Sequence, residues 1–159
     1  MTKGVEAYYL HGHGDNPVIL RTPADVDALI DALLAQTWEN RTAALHHMDH
    51  PVNALGLPGH EFHVAVDPDS RTGAVRYGGL WRGKGGTWFS RGNSGRAGTV
   101  LHFYMGSDNE FPADSEIPLD EVRVAVKEFL ATAGQRPTSV AWQPHWTMLE
   151  DHPELRGCA

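Results

Sequence analysis

Apolar positions along this chain follow two periods, and each period predicts a different element. From Pro23 to Leu34 the residues Val26, Leu29, Ile30, Leu33 and Leu34 recur at steps of three and four, which places them on one stripe of a helix. Its start is marked: Thr22 is an N-cap residue, Pro23 suits the first helical position, and Asp25 completes a variant capping box. A second amphipathic helix is expected from about Pro118. Asp120 and Glu121 complement the positive end of its dipole, Leu119, Val122, Val126, Phe129 and Leu130 face inward, and Gly134 stops it.

The stretch between these helices reads with period two. Phe62, Val64 and Val66 alternate with His63 and Ala65, as in a half-buried strand. The polar turn from Asp67 to Gly73 then leads into Ala74-Val75-Arg76-Tyr77, giving a hairpin. Two further short strands are expected at Thr87–Ser90 and Thr99–Tyr104. A first strand near Val5–Leu10 and a last at Thr138–Trp142 are expected to join the same sheet. Short turns between successive strands favour an antiparallel meander. The predicted fold class is therefore α+β, an antiparallel sheet with two main amphipathic helices packed on one face. The expected domain spans residues 1–143. Residues 144–159 form a tail that either docks through Trp146 and Leu149 or stays free.

Composition narrows the functional classes. A chain of 159 residues fits one domain. No apolar run reaches the roughly 20 residues that span a membrane, and Met1-Thr2-Lys3-Gly4-Val5-Glu6 lacks the pattern of a secretion signal. The one cysteine, Cys158, excludes an internal disulfide and suits a reducing, cytoplasmic setting. The balance of 20 acids to 13 bases, a net charge of −7, argues against phosphate-backbone binding and suits a basic partner. Six of the acids, Asp108, Glu110, Asp114, Glu116, Asp120 and Glu121, fall in Ser107–Glu121 without a single Lys or Arg. Nearly all of the charge excess lies there.

Candidate chemistry is sparse. His11 and His13, two apart after a strand, could hold a divalent metal together with Asp15. This would make a small metal-dependent hydrolase, although Gly12, Gly14 and Asn16-Pro17 equally suit a turn. His46 and His50 would share one face of a helix, with His47 beside them, but no Glu stands where a zincin general base would. The run Gly78–Gly86 lacks Walker spacing and reads as a mobile hairpin loop. Ser94 fails the nucleophile-elbow pattern. No catalytic set assembles and no cofactor is called for. What remains is surface: Trp81, Trp88, Trp142, Trp146 and Phe111 are of the types enriched at interface hot spots, with Trp142 expected in the core.

Three segments carry a resemblance. These are Asp15–Leu20 with the capped helix after it, Gly85-Gly86-Thr87-Trp88-Phe89-Ser90, and Glu110-Phe111-Pro112-Ala113-Asp114-Ser115-Glu116-Ile117-Pro118 running through the second helix to Arg136–Gln143. In this order the sequence resembles immunity protein family one of bacterial polymorphic toxin systems. The resemblance implies an α+β protein encoded beside a toxin, frequently a nucleic-acid deaminase, which it binds and inhibits as a 1:1 complex. It implies no catalytic residues. Under this reading the partner is a protein, not nucleic acid or membrane. The candidate contacts are Asp108, Glu110, Asp114 and Glu116 with Phe111 inserted among them, and Trp88.

Overall fold

The computed structural model describes residues 3–81, 84–151 and 153–157. The hairpin tip Arg82-Gly83, the side chain of Trp81, the N-terminal Met1-Thr2 and Cys158 lie outside the described residues. The strands are β1 (Val5–Tyr8), β2 (Val18–Leu20), β3 (Thr42–His47), β4 (Glu61–Asp67), β5 (Thr72–Trp81), β6 (Lys84–Ser90), β7 (Thr99–Tyr104), β8 (Ser107–Pro112), β9 (Ile117–Pro118) and β10 (Trp142–Pro144). The helices are α1 (Pro23–Leu34), α2 (Leu119–Ala131) and the short α3 (Met148–Asp151).

Seven strands pair antiparallel in the order β10-β6-β5-β4-β3-β1-β2, and β9 adds to β5 to make eight. The run β4-β5-β6 is the part of the expected meander that holds, and β3, a strand the sequence does not announce, extends it to β3-β4-β5-β6. Its one interruption is β1, which lies between β2 and β3 because α1 carries the chain over it. An antiparallel neighbour on each side leaves β2 and β3 parallel, and such strands need a crossover of this length.

Both long helices lie on one face of the sheet. The Thr22 hydroxyl accepts from the Asp25 N–H at 3.2 Å while the Asp25 carboxylate accepts from the Thr22 N–H at 3.0 Å, so the capping box is reciprocal. Beneath the helices Val5, Ala7, Leu45, Phe62, Val64, Val75 and Tyr77 meet Val26, Ile30, Leu33, Val122, Val126 and Phe129 in one core. Gly73 is required where α2 presses on β5: a Cβ there would stand 2.5 Å from the Ala65 oxygen and 2.9 Å from Val122 Cγ2. Gly134 ends the helical segment at φ +81°, its N–H donating to the Phe129 carbonyl at 3.0 Å.

Several expectations are corrected. The glycines at 78–79 and 85–86 do not form a loop; Gly79 pairs with Gly86 inside the β5–β6 ladder. β7 leaves the main sheet and pairs with β8, a strand over Ser107–Pro112 that the sequence reading does not include. The last strand begins at Trp142, later than expected, and pairs with β6. His46 and His47 stand on β3, so they point to opposite faces and share no helix face with His50. Trp142 is half-buried against the main core, its indole N–H donating to the Pro137 carbonyl at 2.7 Å. The segment after Pro144 docks through Met148, which is buried, with Trp146 stacked on Phe89 and half exposed. Among the described residues no helix is long and apolar enough to cross a membrane.

A candidate protein-binding surface

The β7–β8 hairpin covers part of the sheet face that the helices leave bare. Its register pairs Val100 with Phe111 and His102 with Asn109, while Leu101 pairs with Glu110 and Phe103 with Asp108. Directly opposed residues share a face, so the hairpin sorts its side chains into an inner and an outer set. Phe111 belongs to the inner set. It is wholly buried, packed on Phe89 at 5.1 Å and edge-on to His102 at 4.8 Å, in a second small core with Ala74. The expectation that Phe111 inserts into a partner is therefore corrected: its ring anchors the hairpin to the sheet.

The outer set is what solvent meets. Asp108 and Glu110 are both exposed there, beside Leu101 at 49% exposure. Trp38, 56% exposed, stands edge-on to Phe103 with ring centroids 4.8 Å apart. The Gly106 N–H donates to the Glu39 carbonyl at 3.0 Å, tying the hairpin turn to the Trp38 segment. Trp38 and Leu101 are missed by reading the sequence, which offers only their residue type. The alternation of Asp108 and Glu110 with Asn109 and Phe111 was the signal that this stretch is a strand.

The other candidates are scattered. Asp114 is half-buried and accepts from the Gln143 side chain at 2.9 Å; Glu116 is half-buried two residues on. Trp88 pairs with Tyr77 on the helix side of the sheet, where the Arg136 guanidinium lies over its ring at 4.5 Å. The structure thus joins Asp108 to Glu110 on one surface and leaves Trp88 on the opposite side of the sheet.

The histidines fill structural roles. His11–Gly14 is a turn of 3-10 helix, and His13 Nδ1 accepts from the backbone N–H groups of Tyr9 and Leu10 at 3.2 and 3.1 Å. His47 Nε2 donates to the Leu130 carbonyl at the end of α2, 2.9 Å away. His60 Nε2 accepts from the His47 N–H at 2.8 Å, and its ring stacks on His50 at 3.9 Å. Burial, followed by the neighbouring His50, His46 and His47, pushes the His60 pKa down to about 3. Among the described residues no three His, Cys, Asp or Glu side chains gather as a metal site.

Beyond the hairpin the same sheet face stays open. Two cross-strand rows run over it. One contains Glu6 and His46 on neighbouring strands, then Glu61, Gly78 and Thr87. The other runs Tyr8, Ala44, His63, Arg76, Phe89. Glu61 accepts from His63, which holds its carboxyl below the usual range. Tyr8 donates to Glu6; burial, then this bond and charge, push its phenol up to about 12. Small residues at Ala44 and Gly78 make the band a depression between taller neighbours. Chemically, these surfaces offer carboxylates, hydroxyls and apolar contact, the means of recognition.

The family described as Immunity protein Imm1 matches this chain over residues 14–144. No curated protein matches it. The matched span takes in both helices, the whole meander, the acidic hairpin and the final strand. By that match the chain belongs to the Imm1 family of immunity proteins.

Proposed function

We propose that this protein neutralises a cognate polymorphic toxin, a nucleic-acid deaminase acting on cytidine, by binding it 1:1 in the cytoplasm of the producing cell, and that it performs no chemistry itself. Family membership over residues 14–144 carries this reading, since an immunity protein implies a toxin as partner. The hairpin's outer face supports the finer part. A deaminase must admit a base to its zinc-bound water past basic nucleic-acid contacts, and Asp108 and Glu110, which make no ion pair among the described residues, present negative charge beside the exposed Trp38 and Leu101. Opposed charges of this kind raise the association rate and enforce partner choice. Asp114 and Glu116 extend the negative field behind them.

Nanomolar inhibition corresponds to about 12 kcal/mol, which typically takes an interface of about 1,600 Å² with a few dominant anchors. Trp38 is the aromatic anchor in this reading, the place Phe111 cannot take. The test is co-production with the toxin domain encoded in the adjacent reading frame. Wild-type protein restores growth and abolishes deamination of a cytidine-containing DNA or RNA. Asp108→Lys with Glu110→Lys slows association about tenfold or more, most strongly at low salt. Unimpeded toxicity in the presence of folded wild-type protein would remove the immunity reading. An unchanged association rate in the double variant would remove the hairpin from it.

A further inference from the structure

Val52, Leu57 and Leu80 are exposed large apolar side chains at 62%, 56% and 80%, and Leu55 on the same β3–β4 loop reaches 82%. Isolated exposed leucines need no explanation, but these are not isolated. Leu57 and Pro58 line a cavity with Glu61 and Gly78, and Val52 lines another with Glu6 and His46. A third joins Glu6, Tyr8, His46 and Glu61 to Tyr104 at the hairpin's end, and a fourth holds Arg76, His63 and Thr87. Shared walls at Glu61, His46, Pro58 and Gly78 make the four one continuous groove along the open rows of the sheet. Leu80, two residues beyond Gly78 on β5, projects from that same face at its rim.

The groove's polar groups are built and only partly engaged. Glu61 keeps half of its side chain exposed while His63 beneath it is buried, and the His63 Nδ1 has no hydrogen-bond partner among the described residues. Arg76 is half-buried over the Phe89 ring at 5.9 Å, with no hydrogen bond or ion pair among the described residues. A buried unpaired donor or acceptor costs free energy that a ligand can recover. Two carboxylates, Glu6 and Glu61, flank the centre between the leucine rim and Tyr104. That pattern fits a cation carried between apolar side chains.

We propose that this groove is a second docking surface for the toxin, receiving a segment in which a Lys or Arg flanked by apolar residues reaches Glu6 and Glu61 while its apolar neighbours cover Leu57 and Leu80. The inference rests on the immunity reading and adds to it a contact on a surface distinct from the outer face of the acidic hairpin. Arg76 then takes a carbonyl or carboxylate of the same segment.

The test is calorimetric titration of this protein with the toxin domain encoded beside it, inactivated at its catalytic site. Leu57→Lys with Leu80→Lys replaces exposed side chains, removes the apolar rim and repels the incoming cation. Affinity is expected to fall on the order of 10- to 100-fold, the loss of a dominant anchor, with the thermal unfolding temperature unchanged. Should the double variant unfold early, Leu57→Ser alone carries the same comparison. Glu61→Gln is expected to weaken binding and flatten its salt dependence. Wild-type affinity in both the rim and Glu61 variants overturns the groove and leaves the immunity reading intact, whereas failure of the wild-type protein to bind at all overturns both. A dimer of the free chain that the rim variant dissolves would give the groove to a second copy and also overturn the proposal.

Discussion

The two faces of the central sheet solve the same problem in different ways. The face under α1 and α2 is apolar across nearly every strand, from Val5 and Ala7 through Leu45, Phe62 and Val64 to Val75 and Tyr77, and helices with matching stripes close over it. On the other face the hydrophobic cluster is small, Ala74, Phe89 and Phe111 with Val100 under the β7–β8 hairpin, and the band beyond it is more polar and open. Stability is thus concentrated on one side of the sheet, and the proposed recognition surfaces lie on the other. Mutations can separate them.

The largest expected effect is on the helix side. Phe129 is fully buried and packs on Phe62 at 4.8 Å, with His47 and His60 around it. Phe129→Ala should cost near the upper end of the range for such truncations, about 5 kcal/mol, and unfold the whole domain in one transition. Phe111→Ala should cost nearer the lower end, about 3 kcal/mol, because its cluster is small and the hairpin can move to fill the space. Denaturant unfolding gives both numbers. Hydrogen exchange gives the distinction: in Phe111→Ala, amides of β7 and β8 should exchange faster while those of β3 to β5 keep their protection. Uniform loss of protection would mean that the two faces are one cooperative unit.

The same contrast explains what was legible in the sequence. The helix side announced itself because it is built from local periodicity: the Thr22 cap, the stripe from Val26 to Leu33, the stop at Gly134, and the alternation of Phe62, Val64 and Val66. β3 was illegible because Ala43, Ala44, His46 and His47 carry no apolar alternation, and His47 is held inside by a bond to Leu130, 83 residues away. β8 was hidden because its acids dominate the reading while its inward face shows only Asn109 and Phe111. Whether Phe111 faces a partner or the sheet depends on the pairing of Phe111 with Val100 and its packing on Phe89, a contact set by topology. The surface pair Trp38 and Phe103 has the same origin, two segments brought together over a long sequence separation.

Acid should weaken the helix side through His60. Its Nε2 accepts the His47 N–H, so protonation would break that bond inside a buried cluster. The folded pKa of about 3 lies below the ordinary value of 6.5, so the unfolded chain takes up the proton first. Stability is then fully present above about pH 6.5 and is lost as pH falls toward 3, by up to about 1.4 kcal/mol per pH unit. Between pH 7 and 5 this comes to about 2 kcal/mol. His102 under the hairpin is shifted the same way by burial, so it sharpens the comparison between faces. His60→Gln should flatten the stability profile between pH 7 and 5 while the protection of β7 and β8 amides, corrected for intrinsic exchange, still falls with acid. Glu61 works in the same direction but lower on the pH scale: its lowered carboxyl contributes fully above the ordinary value of 4.5 and loses that contribution as pH falls below it, so measurements kept above pH 5 isolate the histidines. A profile in His60→Gln that matches the wild type would assign the acid response elsewhere.

The smallest expected effect tests whether the helix layer's own surface matters to either role. Arg123 on α2 reaches Asp27 at 3.0 Å and Asp31 at 2.7 Å on α1, and Lys127 joins Asp27 at 3.0 Å. These bridges sit on the outside of the helix pair, where screening and side-chain entropy offset most of the attraction. Arg123→Ala should therefore cost only about 0.5–1 kcal/mol, shrinking further as salt is raised. Because this surface lies across the sheet from both the acidic hairpin and the open groove, the variant should bind the toxin domain with unchanged affinity. A clear loss of binding in folded Arg123→Ala would place part of the interface on the helices and end the division of labour between the two faces.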